Sequence, residues 1–152
     1  MKKVAVIGAG PSGITAIKNF VDQGFEVTAF ERCQGVGGNW RYNDPSGHSS
    51  VFETTHIISS KYTSFYEDFP LPESASDYPS HKELLNYFNA YTDHFDIRKL
   101  IKFGTIVTSC KKIELQVGSF NSSLRAGVNS SPVNVGSHKP SHHSFAGRGL
   151  RG

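Results

Sequence analysis

The residues of this 152-residue chain that could do chemistry are concentrated near its start. Gly8, Gly10 and Gly13 stand at the spacing G-x-G-x-x-G, and an acid, Glu31, follows about 20 residues later. A glycine turn of this kind lets a pyrophosphate approach the backbone closely, and the distal acid can accept hydrogen bonds from a ribose. The pattern predicts a dinucleotide-binding turn. The acid favours an unphosphorylated ribose, as in FAD or NAD, over the 2′-phosphate of NADP.

The segments around the glycines have the order that such a turn needs. Residues 4–7 are apolar and mostly β-branched, which predicts a buried parallel strand. A helix should follow, with Pro11 in its first turn and Gly24 just past its end. Its apolar stripe consists of Ile14, Ile17 and Val21. Residues 27–30 resume an extended pattern. We therefore expect a three-layer α/β domain with residues 4–7 as its central strand and 27–30 parallel beside it. The competing interpretation is a glycine-rich turn in an unrelated domain.

Beyond Glu31 the chain continues into a glycine-rich loop, residues 32–42, which contains the only tryptophan, Trp40. We expect this loop to wrap the adenosine and ribityl side of a dinucleotide; the alternative is a surface loop with one hydrophobic anchor. Short strands are predicted at residues 51–58 and 104–108, with a further one beginning near residue 111.

A second helix is predicted to begin after Ser80, because Ser80 and Glu83 form the capping-box pattern S-x-x-E. It should run to about His94. Its apolar face consists of Leu84, Phe88, Tyr91 and Phe95. His81 and His94 lie too far apart along this helix to share a metal, and we expect both to be exposed polar residues.

Composition excludes several classes of function. The formal net charge of +3 is too small to indicate binding to nucleic acid or to an anionic membrane. No apolar stretch approaches the length of a membrane span, and we expect no signal peptide and a cytoplasmic location. Cys33 and Cys110 form no C-x-x-C pair, so both are predicted to be free thiols that serve packing. We expect no metal site.

Composition changes from residue 118 onward. Residues 118–152 are rich in Ser, Gly and Asn and have no apolar periodicity. We divide the chain into a partial nucleotide-binding domain, residues 1–117, and a low-complexity, disordered tail, residues 118–152. The histidines at 138, 142 and 143 are expected to be solvated rather than metal ligands.

With these residues in view, the chain resembles the flavin-containing monooxygenases, NADPH-dependent enzymes that oxygenate soft nucleophilic nitrogen and sulfur atoms. The resemblance covers residues 2–114. Besides the glycine turn, it rests on Phe-Glu-Arg at 30–32, Gly-Gly-Asn-Trp-Arg at 37–41, Glu-Asp-Phe-Pro at 67–70, Tyr-Pro at 78–79 and His-Phe-Asp at 94–96. The Gly-Gly-x-Trp and Asp-Phe-Pro elements make it more specific than a generic nucleotide-binding fold.

The resemblance implies a Rossmann-like FAD/NAD(P)-binding fold with a parallel sheet, and FAD as the bound cofactor. It assigns the FAD pyrophosphate to the glycine turn, the adenosine ribose to Glu31 and the flavin nucleotide to Asn39 and Trp40. The residues that it implies in cofactor binding are Gly8, Ala9, Gly10, Pro11, Ser12, Gly13, Glu31, Arg32, Gly38, Asn39 and Trp40. It implies oxygenation of a small nucleophile by O2 through a C4a-hydroperoxyflavin, with NADPH as reductant. No residue of this chain is assigned a catalytic acid–base role.

Two departures from the family pattern limit this implication. The family's active-site Asn position, aligned on Lys61, is Ile58 here, which leaves either a lost role or a subgroup that uses Ser59 or Ser60. A second glycine motif for NADPH and the later segment that closes over the flavin are missing. We therefore expect an inactive N-terminal fragment with an unrelated tail. The alternatives are another FAD- or NAD-linked reductase and a non-enzymatic nucleotide-binding remnant. Neither the substrate nor the oligomeric state is predicted.

Overall fold

A computed structural model of the protein describes residues 1–46 and 50–112. This part of the chain contains a short parallel sheet, two α-helices and three single turns of 3-10 helix. The strands are β1 (Lys3–Ile7), β2 (Glu26–Phe30) and β3 (Ile101–Lys102), and the helices are α1 (Pro11–Asp22) and α2 (His81–His94). The 3-10 turns are Gly38–Trp40, Lys61–Thr63 and Arg98–Leu100.

The sheet is parallel, and its strand order within the described residues is β1-β2-β3. β1 and β2 pair in register from Lys3 opposite Glu26 to Ile7 opposite Phe30, as the strand–helix–strand pattern predicted. β2 rather than β1 is the central strand of this sheet, which corrects that part of the prediction. The reason is that β2 takes its second neighbour from residues 101–102, a stretch whose sequence indicates only a connector.

Helix α1 covers one face of the sheet, and the main core forms between them. Ile14 and Ile17 are completely buried, as is Ala29 of β2, and Val27 of β2 is only 6% exposed. Val21 was predicted to complete the helix stripe, but 39% of it is exposed because the helix ends at Asp22. Gly24 follows with a φ of +77°, the left-handed conformation expected just past a helix end.

The opposite face of β1 is open in the described part of the chain. Lys3, Ala5 and Ile7 are exposed there, whereas the intervening Val4 and Val6 are half-buried, and Val6 packs against the core. The described residues thus form the sheet and one helical layer of a partial Rossmann-like α/β unit.

Helix α2 is fixed by its predicted cap and by an aromatic face. The Ser80 hydroxyl accepts from the Glu83 N–H, and the Glu83 carboxylate accepts from the Ser80 N–H in return. Leu84, Phe88 and Tyr91 are buried as predicted, Phe95 is half-buried, and Tyr87 joins them. The Tyr66 ring packs edge-to-face on Tyr91 with ring centroids 4.7 Å apart, so loop 60–72 is held on this helix.

Three further sequence-based predictions are wrong. Residues 51–58 form no strand; His56 makes only an isolated bridge to Ser80. Residues 104–108 form no strand either, because the sheet contact precedes them at residues 101–102. His81 is only 2% exposed, since its ring is covered by Tyr42 and its Nε2 lies 3.1 Å from the Glu53 carbonyl oxygen. Sequence periodicity does not register such loop contacts.

Two predictions concern residues outside the described part of the chain. They are the tail at 118–152 with its three histidines, and most of the strand at 111–117. Cys33 and Cys110 are free thiols, the first buried and the second exposed. Within residues 1–46 and 50–112, neither helix combines the length and the apolar character that a bilayer crossing requires.

Candidate dinucleotide-binding site

The glycine turn joins β1 to α1, and its glycines have distinct physical roles. Gly8 has a φ of +96°, and its N–H donates to the Phe30 carbonyl oxygen at 2.8 Å. A Cβ on Gly13 would lie 2.1 Å from the Gly8 carbonyl oxygen, so only glycine lets α1 start this close to the strand end. The first turn of α1, beginning at Pro11, directs N–H groups without helical partners toward the space above the turn.

Glu31 braces this turn from the end of β2. Its side chain is buried, with the residue 5% exposed. Oε2 accepts a hydrogen bond from the Ala9 N–H at 2.6 Å, and Oε1 accepts one from the Cys33 N–H at 2.8 Å. An ionised carboxylate has about four acceptor positions, so Glu31 can still accept hydrogen bonds from a ribose.

The glycine-rich loop closes over the turn from the other side. The Gly37 N–H donates to the Ala9 carbonyl oxygen at 3.0 Å. A Cβ on Gly38 would lie 3.0 Å from the Gly10 Cα, so the two backbones are nearly in contact. Gly37 and Gly38 have φ values of +116° and +52°, which other residues adopt with strain. The loop then enters the 3-10 turn that carries Asn39 and Trp40.

Two cavities meet at this contact. The first, of about 340 Å³, is lined by Ile7, Gly8, Gly10, Phe30, Glu31, Arg32, Cys33, Gly38, Thr105, Ile106 and Val107. The second, of about 390 Å³, is lined by Ile7, Gly8, Gly10, Pro11, Ser12, Gly13, Gly38, Asn39 and Trp40. The shared wall consists of Ile7, Gly8, Gly10 and Gly38. An elongated ligand could therefore occupy both cavities by crossing over the glycine turn.

The structure brings the predicted site residues together around these cavities. Of the predicted set, Ala9 alone lines neither cavity, because it is fully buried beneath the turn, where its backbone binds Glu31 and Gly37. The role of the predicted site residues in binding a cofactor stays a prediction.

Five lining residues were missed by sequence reasoning: Ile7, Cys33, Thr105, Ile106 and Val107. The last three follow β3, and the Thr105 N–H donates to the Glu31 carbonyl oxygen at 2.8 Å. The signal available in the sequence is the apolar run at residues 106–107 after Gly104, which predicts a strand. Burial is the main cause that raises the pKa of the Cys33 thiol, so this wall presents a neutral thiol.

Another cavity lies between α2 and the proline-rich segment 69–72. It measures about 430 Å³ and contains no glycine turn or charged pair suited to a phosphate. Ile58, at the aligned Asn position, is fully exposed and lines neither dinucleotide cavity. The Ser59 hydroxyl lies 2.6 Å from that of Ser64, and Ser60 precedes the 3-10 turn Lys61–Thr63.

Comparison with known proteins agrees with this geometry. The sequence model of the family described as flavin-binding monooxygenase-like matches residues 1–122. The chain belongs to this family. The match extends past residue 114, where the recognisable monooxygenase motifs end.

Two curated members of the family each share more than two-fifths of the aligned residues. The chain is 43% identical over 114 residues to dimethylaniline monooxygenase [N-oxide-forming] 2 of Rattus norvegicus. It is 42% identical over 113 residues to flavin-containing monooxygenase 2 of Homo sapiens. These alignments cover 74% and 73% of this chain but 21% of each relative. The chain thus spans about one-fifth of the length of these relatives.

Solved structures of monooxygenases have the same fold as the described residues. OTEMO in complex with FAD and NADP matches with a TM-score of 0.64 and 28% identity, over 75% of this chain and 21% of that one. Oxidized steroid monooxygenase bound to NADP matches with a TM-score of 0.58 and 33% identity, over 68% and 19%. S-allyl-L-cysteine S-oxygenase from Allium sativum has a TM-score of 0.65 over 77% of this chain and 30% of that one, at 22% identity, and supports the fold alone.

Proposed function

We propose that residues 1–112 form the FAD-binding N-terminal part of an NADPH-dependent flavin monooxygenase. The observation that carries the proposal is the junction of the two cavities over Gly8, Gly10 and Gly38, with Glu31 bound to the same turn. A dinucleotide needs this combination: a side-chain-free crossing point for its pyrophosphate and a buried acceptor beside it for a ribose. Membership of the flavin-binding monooxygenase-like family supports FAD as the dinucleotide.

The residues divide along the proposed ligand. The first turn of α1 directs its free N–H groups at the pyrophosphate, which Gly10 lets approach. Glu31 accepts from the adenosine ribose, and its buried negative charge would repel a 2′-phosphate. The wall formed by residues 105–107 would hold the adenine. The second cavity, ending at Asn39 and Trp40, receives the ribityl side.

When bound, the flavin would supply hydride acceptance from NADPH and oxygen transfer to a nitrogen or sulfur nucleophile. The part of this chain described here binds and orients the adenosine end. Its glycine turn and Glu31 fix where the cofactor lies, and none of the residues around the two cavities is required to move a proton in the reaction. The NADPH site and the cover over the flavin ring would come from other parts of a family-length protein.

Titration of the purified chain with FAD tests this proposal. The quenching of Trp40 fluorescence gives the dissociation constant, because Trp40 is the only tryptophan and lines the second cavity. Gly10→Val should weaken FAD binding at least tenfold, since its branched side chain would project into the shared wall. Asn19→Ala, on the exposed surface of α1, is the matched control and should leave the affinity unchanged. Equal FAD affinity for wild type, Gly10→Val and the control would refute the proposed site.

A further inference from the structure

A partly buried ion pair joins Arg41, at the end of the glycine-rich loop, to Asp44, and neither residue is among those that the sequence implicates in cofactor binding. The Arg41 Nε lies 2.6 Å from the Asp44 Oδ2, and the Asp44 side chain is only 2% exposed. The other carboxylate oxygen of Asp44 accepts from the Ser46 N–H at 2.9 Å. Burial alone would raise the pKa of Asp44, but hydrogen bonds from Ser46 and Arg41 outweigh it and hold that pKa well below its ordinary value.

The Arg41 side chain supports the loop from beneath. A Cβ on Gly35 would lie 2.5 Å from the Arg41 Nη1, and one on Gly37 would lie 3.4 Å from the Arg41 Cγ. The same Nη1 donates to the Val36 carbonyl oxygen at 3.4 Å. The loop backbone therefore rests on the arginine stem and guanidinium, and the glycines leave the space that this side chain fills.

The loop that Arg41 supports is in direct contact with the glycine turn. Gly37 is hydrogen-bonded to Ala9, and Gly38 nearly touches Gly10. Gly38 is also the loop residue common to both cavities. The contacts thus form a continuous series from Asp44 through Arg41 and the loop to the crossing point of the proposed ligand.

We infer that Asp44 is a positioning residue of the dinucleotide site: it holds Arg41 beneath residues 35–38 and so keeps Gly38 against Gly10 at the pyrophosphate crossing. The part of this inference that concerns FAD rests on the proposed function. The part that concerns the position of residues 35–38 rests on the contacts alone. Removing the charge of Asp44 leaves the Arg41 guanidinium partly buried without a counter-ion, which is strongly unfavourable. The guanidinium should then move toward solvent and release the loop.

The test compares Asp44→Asn with Asp93→Asn. Asp93 pairs with Arg98 at 2.5 Å at the far end of α2 and is exposed, so its variant removes an ion pair of similar chemistry away from the site. Acrylamide quenching of Trp40 reports on the loop without any ligand, and FAD titration reports on the site. Asp44→Asn should increase Trp40 quenching at least twofold and weaken FAD binding at least tenfold, while Asp93→Asn should change neither.

Circular dichroism and thermal melting separate positioning from general stability. A positioning role predicts that Asp44→Asn stays folded at the assay temperature and still loses affinity. If Asp44→Asn does not fold, Arg41→Lys replaces it in the test. This variant keeps the positive charge but loses the hydrogen bond to Val36, so we expect smaller changes in Trp40 quenching and in FAD affinity, in the same direction.

The inference is overturned if the folded variant retains wild-type Trp40 quenching, or if its FAD affinity equals that of Asp93→Asn. If the wild type does not bind FAD, the proposed function fails by itself, and Trp40 quenching in the two variants still decides whether Asp44 holds the loop.

Discussion

Glu31 acts on the protein as well as on any ligand, because both of its carboxylate oxygens accept from backbone N–H groups. These bonds tie the end of β2 to the glycine turn at Ala9 and to the following loop at Cys33. The motif spacing predicts only a ribose acceptor at this position. The structure adds that the acceptor is preorganised, since it is held in place before a ligand arrives.

Replacing Glu31 should therefore cost stability in the absence of ligand. Glu31→Gln places an amide where two N–H groups need acceptors, so we expect the free energy of unfolding to fall by about 1–3 kcal/mol. Glu31→Ala should in addition weaken FAD binding by roughly 1.5–3 kcal/mol, the range for hydrogen bonds to charged groups. Urea denaturation and FAD titration measure the two effects. Glu26→Gln, at an exposed position of β2, is the control. If Glu31→Gln without ligand has the same free energy of unfolding as the wild type, Glu31 does not stabilise the turn.

Gly10 and Gly13 form a matched pair that separates folding from binding. A Cβ on Gly10 would meet Gly38 Cα at an ordinary 3.6 Å, whereas one on Gly13 would meet the Gly8 carbonyl oxygen at 2.1 Å. Gly13→Ala should thus destabilise the fold by about 1–3 kcal/mol or more, and Gly10→Ala should leave stability within about 0.5 kcal/mol of wild type. Gly10→Ala should still weaken FAD binding. Denaturation curves that show equal stability for the two variants would rule out this division of roles.

At the scale of elements, helix α2 depends on its N-terminal cap. Hydrogen bonds from the backbone N–H groups of Ser76 and Ser80 are the main cause that lowers the pKa of Glu83 to about 2. The same carboxylate completes the capping box with Ser80, so it joins the 76–80 loop to the helix. The helix in turn supplies the aromatic face on which loop 60–72 packs.

This cap gives a pH dependence with a defined sign. The folded pKa of Glu83 lies below the value of about 4.3 for an unfolded glutamate, so its stabilisation is complete above that value and is lost as pH falls toward 2. Glu83→Gln, which cannot titrate, should melt below wild type at about pH 6, and the difference should shrink toward about pH 2. Thermal melts across this range measure it, with Glu67→Gln at an exposed position as control. A gap that is constant with pH would contradict the assignment.

The elements that sequence predicted are those defined by local chemistry. Residues adjacent in the chain determine four of these features: the strand β1, the start of α1 at Pro11, its end before Gly24 and the cap of α2 at Ser80. The segments 51–58 and 104–108 were misassigned because their conformation depends on partners distant in sequence. Ile57 bonds to Pro79, and Thr105 bonds to Glu31. The burial of His81 depends on such contacts as well, since Glu53 and Tyr42 are distant from it in sequence.

The contrast between local and long-range determinants also holds for the candidate site. The glycine turn and Glu31 could be predicted from their spacing, since each glycine is needed for a local steric reason. The wall at residues 105–107 could not, because those residues reach the cavity only after the chain returns beside β2. Tertiary topology, which one sequence specifies only through its long-range packing, decides this part of the site.

At the scale of the whole molecule, the described residues are one part of an architecture that the family completes at greater length. The chain covers about one-fifth of its curated relatives, and the face of β1 with Ile7, 60% exposed, is open in the described part. Among the described residues, Asn39 and Trp40 line the cavity proposed for the ribityl side. Proximity of NADPH and exclusion of water are both needed for oxygen transfer by a flavin.

We therefore expect the 152-residue chain alone to lack monooxygenase activity. Purified protein should be colourless or faintly yellow, because the described residues supply a site for the adenosine end of the cofactor only, and half a site should bind weakly. It should not oxidise NADPH in an amine- or sulfide-dependent manner in the presence of added FAD. Spectrophotometry at the NADPH absorption band measures this. Substrate-dependent turnover with bound flavin would show that residues of this chain supply the missing cover and reductant site.

The central claim is that the site binds the adenosine-diphosphate half of FAD, and a ligand series measured by isothermal titration calorimetry tests it most directly. FAD and ADP should bind with dissociation constants within about tenfold of each other, because both present the pyrophosphate to Gly10 and a ribose to Glu31. FMN, which lacks adenosine and has one phosphate, should bind at least tenfold more weakly than FAD, and 2′-phospho-ADP-ribose more weakly than ADP-ribose. FMN binding as tight as FAD, or no binding of FAD or ADP at millimolar concentration, would contradict the account.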